Sequence, residues 1–420
     1  MGKCEHIKIA FLTLGCKLNY AETSTYERGF RAAGLEPVSK DTPADVYLVN
    51  TCSVTATSDA KSRNLIRKVL RANPEAKVIV TGCSAQLRRA EIESIPGVTK
   101  VFGCDQKSYV VPDTLKLLGI TQALPYPPGP VFDAWSSGER TRSFLKIQDG
   151  CDNLCAYCTV PYARGNSRSV PMEQCLANAR SIAALGVKEI VLTGVNTGDW
   201  GRTAGESFLD LLKALDKVEG IERYRISSIE PNLLTDEIID WTASGTKFQP
   251  HFHIPLQTGS DQLLSKMGRR YTTDFFTGKL QRVRDAFEAP GKPLVFFGID
   301  VMVGLPGETE ELFRDTCSFL ERIRPAFIHV FPYSRRPGTP AAAMPGQVPE
   351  QVKKERVAIL EEMCGRLHRE FVQSNAGIKE KVLFESSDRH GFMEGYTGNY
   401  IRIRRPWEAS LCGKIVDVTI

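Results

Sequence analysis

Cys151-Asp-Asn-Leu-Cys155-Ala-Tyr-Cys158 puts three thiols within eight residues, directly after the strand-like run Ser143-Phe-Leu-Lys-Ile-Gln-Asp-Gly150. An iron-sulfur cube is ordinarily held by four thiolates, so a compact loop offering three leaves one iron open to a ligand that is not protein. The other readings of such a loop fit less well. A structural zinc site wants a closed set of four nitrogen or sulfur ligands, and no fourth Cys or His follows within the next dozen residues. A disulfide would leave one thiol odd.

The chain has 420 residues, which suggests two or three domains, each able to bury a substantial core. A net charge of +5 makes a polyanion an acceptable partner and demonstrates none. There is no charged-then-apolar leader and no apolar run near twenty residues, so the twelve cysteines point to a reducing cytoplasm, where they serve as ligands or core residues. No membrane association is expected.

Residues 5–121 alternate short apolar strands (7–12, 46–49, 77–81) with amphipathic helices (22–33, 58–72), the rhythm of a doubly wound, mainly parallel sheet. Each strand is followed by a cysteine: Cys16 in Leu14-Gly-Cys-Lys-Leu-Asn19, Cys52 in Asn50-Thr-Cys-Ser53, Cys83 in Thr81-Gly-Cys-Ser84. Parallel strands present their carboxyl ends on one edge, so the three thiols are expected to converge as a second three-ligand site. Asn19 and Glu22 fit a helix capping box. Lys61, Arg63, Arg67, Lys68 and Arg71 give one helix a basic side, read as a solvated face or an RNA-phosphate contact. Cys4, Cys104, Cys175, Cys317, Cys364 and Cys412 have no comparable placement and are expected to be structural.

Residues 122–138, rich in proline, read as an irregular linker. From 139 to 345 the strand-then-helix pattern returns, with six strands expected at 143–148, 189–193, 223–227, 251–255, 296–303 and 326–331, which fits a partial barrel of parallel strands with its site at the carboxyl edge. The loops after them are rich in glycine and small polar residues, as a nucleoside cofactor would require. Arg164 and Arg168 follow the three-thiol loop and are read either as surface charge or as contacts to a phosphate or carboxylate. A helix at 349–374 carries Val357, Leu360, Met363, Leu367 and Phe371 on one core-facing stripe. Residues 375–420 are strand-like, and Tyr400-Ile-Arg-Ile-Arg404 alternates so that Ile401 and Ile403 point inward while Tyr400, Arg402 and Arg404 form an RNA-facing strip.

Cys151-x3-Cys155-x-Tyr157-Cys158 resembles the signature of the radical S-adenosylmethionine (SAM) superfamily, in which the three thiolates hold a [4Fe-4S] cluster whose fourth iron binds SAM and whose reduction yields a 5′-deoxyadenosyl radical. By that resemblance Gly194, Ser228, Glu230 and Gly304 would contact SAM, with Tyr157 supporting the adenine. Gly391-Phe-Met-Glu-Gly-Tyr-Thr-Gly-Asn-Tyr400 and Gly413-Lys-Ile-Val-Asp-Val418 look like a TRAM domain, an RNA-binding module on a small β-barrel. These parts in this order resemble the methylthiotransferase family, and Thr13-Leu-Gly-Cys-Lys-Leu-Asn19, Val49-Asn-Thr-Cys-Ser-Val54 and His329-Val-Phe-Pro-Tyr-Ser334 look most like its bacterial MtaB type.

That resemblance implies two [4Fe-4S] clusters, one on Cys151, Cys155 and Cys158 and an auxiliary one on Cys16, Cys52 and Cys83, facing each other across a cleft that admits one base. It implies SAM as cofactor, the tRNA anticodon loop as partner, and methylthiolation at C2 of N6-threonylcarbamoyladenosine-37. An electron donor such as flavodoxin or ferredoxin is implied, the sulfur source is left open, and no side chain is assigned a catalytic role. Adenine C2–H is too weakly acidic for a side-chain base, which is why radical chemistry is needed. The alternatives are N6-isopentenyladenosine-37 as substrate, a ribosomal-protein aspartate (a class whose first motif usually reads Cys-Pro-Lys-Asn where this chain has Cys16-Lys-Leu-Asn19), and a non-catalytic iron-sulfur RNA-binding protein.

Overall fold

The computed structural model describes residues 7–120, 131–137, 141–386 and 388–420. Cys4 and the prolines from Pro125 to Pro130 lie outside them. The chain forms two compact units, Met1–Ser137 with Phe144–Asn153 and Cys158–Gln174, and Gly138–Ser143 with Leu154–Tyr157 and Cys175–Ile420.

The first unit is built on five parallel strands. Lys8–Thr13 lies between Glu36–Val38 and Val46–Thr51, followed outward by Lys77–Gly82 and Val98–Val101. The central strand, Val-Tyr-Leu-Val-Asn-Thr, is buried at every position, as a strand covered on both faces must be. Alternate residues feed two separate cores. Leu12, Tyr47, Val49, Val78 and Val80 pack with Ile66 and Val69 of the helix Ala56–Ala72. Ile9, Val46, Leu48 and Ile79 pack on the other face with Tyr26 and Phe30 of the helix Lys17–Ala32 and with Val110, Val111 and Leu115. The sheet is therefore doubly wound, as its sequence pattern indicates. Its strand order reverses between Lys8–Thr13 and Val46–Thr51, the switch point where open α/β sheets bind ligands.

Two local expectations are corrected here. The first helix starts at Lys17 with Cys16 as its extended N-cap, so Asn19 and Glu22 form no capping box. Asn19 instead donates to the Leu14 and Thr51 carbonyls at 2.7 and 3.0 Å, tying the first strand end to the next. The linker is also shorter than expected, because Ala134–Trp135 pairs antiparallel with Arg142–Lys146.

In the second unit the strands Glu189–Thr193, Arg223–Ile226, Phe248–Gln257, Phe296–Val303 and Phe327–Pro332 are paired in parallel, in sequence order. Helices such as Thr273–Phe287 and Glu310–Ile323 cover one face. Their N-caps Thr272 and Thr309 each accept from the amide three residues on, the side-chain cap that satisfies an orphan donor. The sixth predicted strand, Arg142–Lys146, begins in this unit and ends in the first, with Gln148–Asp149 continuing toward Cys151.

The helix Glu350–Ser374 buries Leu360, Met363 and Leu367, as its stripe indicates, together with Lys353 and Arg356. Arg356 is buried because it meets Glu308 at 2.6 Å. The terminal module is a four-stranded antiparallel sheet around Val382, Phe384 and Met393. Arg225 anchors it to the parallel strands. The guanidinium, held at 2.8 Å by Glu189, donates to the Thr397 and Gly398 carbonyls at 2.9 and 2.7 Å.

Tyr400 closes this junction and is a third correction to the sequence reading. Its ring packs on His251, Tyr396 and Phe296 at 4.7, 4.8 and 5.8 Å and under the Arg225 guanidinium at 4.7 Å, so it is not part of an RNA-facing strip. A positive φ of 64° turns it off the strand alternation. Ile401 is buried, and Arg402 and Arg404 remain exposed.

Candidate metal and cofactor sites

At the carboxyl edge of the first sheet, two glycines let the cysteine-bearing turns approach one another. A β-carbon on Gly15 (φ 113°) would stand 2.9 Å from the Cys52 β-carbon and 3.1 Å from its sulfur. One on Gly82 (φ 100°) would collide with the Thr51 carbonyl at 2.4 Å. Only glycine fits either place. The residue before Cys16 therefore abuts Cys52, and the residue before Cys83 abuts the residue before Cys52.

The electrostatics agree with that convergence. Burial pushes the Cys52 thiol up to about 11, and the neighbouring Cys83 and Cys16 sulfurs push it in the same direction. A buried Cys52 thiol whose ionisation is opposed by two neighbouring sulfurs is what a cation-bearing cluster would relieve, since coordination replaces its proton.

A fourth thiol, Cys104, lies here as well and was not singled out in the sequence. Its hydrogen bond to Cys83, followed by Arg164 and Lys107, draws the Cys83 thiol down to about 6, and the same bond pushes Cys104 well above the usual range. A cysteine after the last strand, Val98–Val101, continues the strand-then-cysteine pattern and was the available signal.

Beneath these thiols five charged side chains are buried together. Glu22 Oε1 accepts from Lys107, Lys146 and Arg164 at 2.6, 2.9 and 3.1 Å, and Asp149 accepts from the same three at 3.1, 2.6 and 2.8 Å. None is more than 3 % exposed. Burial alone would raise the Glu22 carboxyl, but the three cations overcome it and hold it at about 2. Arg164 also donates to Asn19 Oδ1 at 2.7 Å. One guanidinium therefore joins the turn after Cys16 to the strand end before Cys151. This corrects the reading of Arg164 as surface charge or as a contact to a phosphate or carboxylate ligand. Arg168 donates to the Arg164 carbonyl at 2.8 Å and braces it. On the helix Ala56–Ala72, Lys61, Arg67, Lys68 and Arg71 are exposed, and Arg63 pairs with Glu91 at 3.4 Å.

The three-thiol loop is held by its own backbone. Gly150 (φ 75°) has no room for a side chain, because a β-carbon would lie 2.0 Å from the Asn166 carbonyl. The Cys151 amide donates to the Gly165 carbonyl at 3.1 Å, and Asp152 accepts from the Ser167 amide at 2.9 Å. The Asn153 and Val160 amides donate to the Cys151 and Cys158 sulfurs at 3.4 Å each. Amides aimed at sulfur favour the thiolate over the thiol and suit metal ligands. In the second unit Cys155 is buried and receives the Arg269 guanidinium at 3.3 Å. The residues at both three-thiol sites thus fit iron-sulfur clusters.

The SAM-contact expectations fall on the second unit's strand ends. Gly194 follows Glu189–Thr193 directly. Ser228, at φ 43°, places Oγ 3.3 Å from His253 Nδ1. Glu230 pairs with Arg269. Tyr157 packs against the buried cluster that contains Leu305, the residue after Gly304. Gly304 itself is covered: its amide donates to Glu308 at 2.8 Å, and Lys353 fills the space where a side chain would stand. Sequence reasoning also missed His253, Asp300 and His329 on adjacent strands, whose ligand atoms lie within 4.8 Å of one another, with His253 Nε2 on Asp300 Oδ1 at 2.7 Å.

Comparison with known proteins accounts for this division. Residues 8–103 match the family model described as uncharacterized protein family UPF0004, and residues 145–320 match the radical SAM superfamily. The threonylcarbamoyladenosine tRNA methylthiotransferase MtaB of Bacillus subtilis is 40 % identical over 98 % of this chain and 93 % of its own. The tRNA-2-methylthio-N(6)-dimethylallyladenosine synthase of Carboxydothermus hydrogenoformans is 31 % identical over 97 % of this chain and 95 % of its own. Among solved structures, the radical S-adenosylmethionine methyltransferase TsrM of Kitasatospora setae shares the fold, with a TM-score of 0.57 at 15 % identity, over 80 % of this chain and 77 % of that one. With a radical SAM segment, a thiol-bearing amino-terminal sheet and relatives that match along nearly its whole length, this chain belongs to the methylthiotransferase family of radical SAM enzymes.

Proposed function

We propose that this protein is a tRNA methylthiotransferase that replaces the C2 hydrogen of N6-threonylcarbamoyladenosine at position 37, in the anticodon loop, with a methylthio group. The observation that carries this reading is the pair of three-thiol sets in one chain: Cys151, Cys155 and Cys158 as ligands of the SAM-binding cluster, and Cys16, Cys52 and Cys83 as ligands of an auxiliary cluster. When bound, the first cluster and SAM supply a 5′-deoxyadenosyl radical, which meets the need set by an unactivated C–H bond.

The chain's own residues bind and orient. Gly15 and Gly82 bring the auxiliary thiols together, and Arg164 ties the turn after Cys16 to the strand end before Cys151. Gly194, Ser228, Glu230 and Tyr157 would hold SAM along the strand ends. The exposed Arg402 and Arg404 would meet RNA phosphate. An electron donor such as flavodoxin or ferredoxin would serve in the cytoplasm. No helix among the described residues is long and apolar enough to cross a membrane.

The threonylcarbamoyl substrate is favoured by the relatives, 40 % identity to the MtaB protein against 31 % to the dimethylallyladenosine synthase. Nucleoside mass spectrometry of tRNA from cells lacking the gene tests it. The 2-methylthio form of N6-threonylcarbamoyladenosine should disappear and return on complementation. Loss of methylthio-isopentenyladenosine instead would transfer the assignment to that substrate, and no change in either would refute the activity.

A further inference from the structure

Arg269 lies in the segment after the helix Asp261–Lys266, where the sequence shows only two successive arginines. Each of its three guanidinium nitrogens is engaged. Nη1 donates to the Cys155 sulfur at 3.3 Å and to the Tyr157 hydroxyl at 3.5 Å, Nε to the Tyr271 hydroxyl at 3.1 Å, and Nη2 to Tyr271 at 2.9 Å and to the Glu230 carboxylate. Tyr271 in turn donates to the Pro255 and Leu256 carbonyls at 2.7 and 3.0 Å, so the guanidinium is fastened to a strand end. The side chain is 4 % exposed and Glu230 13 %. A guanidinium paired with a carboxylate stays protonated, so the charge is permanent.

We propose that Arg269 is a positioning residue for the SAM-binding cluster, donating a charged hydrogen bond to the Cys155 sulfur that raises the cluster's reduction potential, with Glu230 as the counter-charge that limits the rise. The proposal rests on the assignment of Cys155 as a cluster ligand. Its physical basis is simple. One-electron reduction makes the cluster more negative, so a cation or N–H donor at a ligand sulfur stabilises the reduced state more than the oxidised one. A carboxylate on the far side of the same guanidinium offsets part of that field. The arrangement also ties the cluster to a residue expected to contact SAM, so the two sites share one rigid group.

Potentiometric titration monitored by EPR tests this on the full, anaerobically reconstituted chain, read on the reduced-cluster signal that added SAM perturbs. Arg269→Gln should move the midpoint to a more negative potential with iron content retained, and Arg269→Lys should fall between it and the wild type. Glu230→Gln, titrated without SAM, should move the midpoint the opposite way. A side chain that merely supports the fold would lower iron content without shifts of opposite sign. If Arg269→Gln does not hold iron, the sign of the Glu230→Gln shift decides. An unchanged midpoint in iron-replete Arg269→Gln, or shifts of the same sign in both variants, would overturn the proposal. A wild-type protein with no SAM-perturbed signal would overturn the Cys155 assignment itself, which is a distinguishable outcome.

Discussion

Glu22→Gln and Arg164→Gln remove opposite charges from the same buried network, and the structure predicts that their costs differ. The native network has three cations, Lys107, Lys146 and Arg164, and two anions, Glu22 and Asp149. Removing Arg164 leaves two of each, whereas removing Glu22 leaves three cations against one anion in space where no member is more than 3 % exposed. A buried charge deprived of its partner costs about 3–5 kcal/mol. Hydrogen bonds lost around a balanced set cost about 1–3 kcal/mol, here the Arg164 bonds to Asn19, Glu22 and Asp149.

Glu22→Gln should therefore be the worse by about 2 kcal/mol, a large part of a total of about 5–15 kcal/mol. The assay is anaerobic urea unfolding of cluster-free protein, followed by hydrogen exchange in peptides from Lys17–Ala32. Equal costs, or a larger cost for Arg164→Gln, would refute the charge count. The count also predicts a dependence on loading. A [4Fe-4S]2+ core with three thiolates carries one negative charge, which matches the network's single excess positive charge, so Arg164→Gln should cost more in iron-loaded than in iron-free protein.

Other expectations follow from the same geometry. Below about pH 4.5 the first unit's stability should fall steadily toward pH 2, because the depressed Glu22 and Asp149 carboxyls contribute only while ionised; a transition complete above pH 5 in the same exchange assay would contradict this. Gly82→Ala forces a β-carbon against the Thr51 carbonyl at a positive φ, so it should cost on the order of 1–3 kcal/mol and lower auxiliary iron content, measured by iron analysis. Tyr400→Ala should cost about 0.5–3 kcal/mol in thermal or urea unfolding through loss of the contacts its half-buried ring makes with His251, Phe296 and Tyr396, with little change in tRNA affinity. Arg402→Gln with Arg404→Gln should do the reverse, weakening tRNA binding and flattening its salt dependence while leaving stability nearly unchanged.

Much of this was legible in the sequence because it is periodic or topological. The strands at 189–193 and 296–303 coincide with the expected ranges, and Cys16, Cys52 and Cys83 sit at strand ends because a parallel sheet leaves them nowhere else. What was not legible is contact between residues far apart in the chain. Asn19 and Glu22 have capping-box spacing, yet Asn19 binds the Leu14 and Thr51 carbonyls, and the charged partners of the two are Arg164, Lys107 and Lys146, more than eighty residues away. Tyr400 fits an outward strand position and turns inward because a neighbouring barrel end offers His251 and Phe296. Local pattern decides which face a residue would occupy on its own element, and tertiary packing decides whether that face is solvent.

The central claim is that the two three-thiol sets each hold a cluster, and iron counting tests it most directly. Anaerobically reconstituted wild-type protein should bind roughly eight irons per chain, and alanine replacement of either Cys16, Cys52 and Cys83 or Cys151, Cys155 and Cys158 should leave roughly four. Wild-type protein that binds only one cluster's iron, or an amino-terminal triple variant that keeps the full complement, would contradict the account.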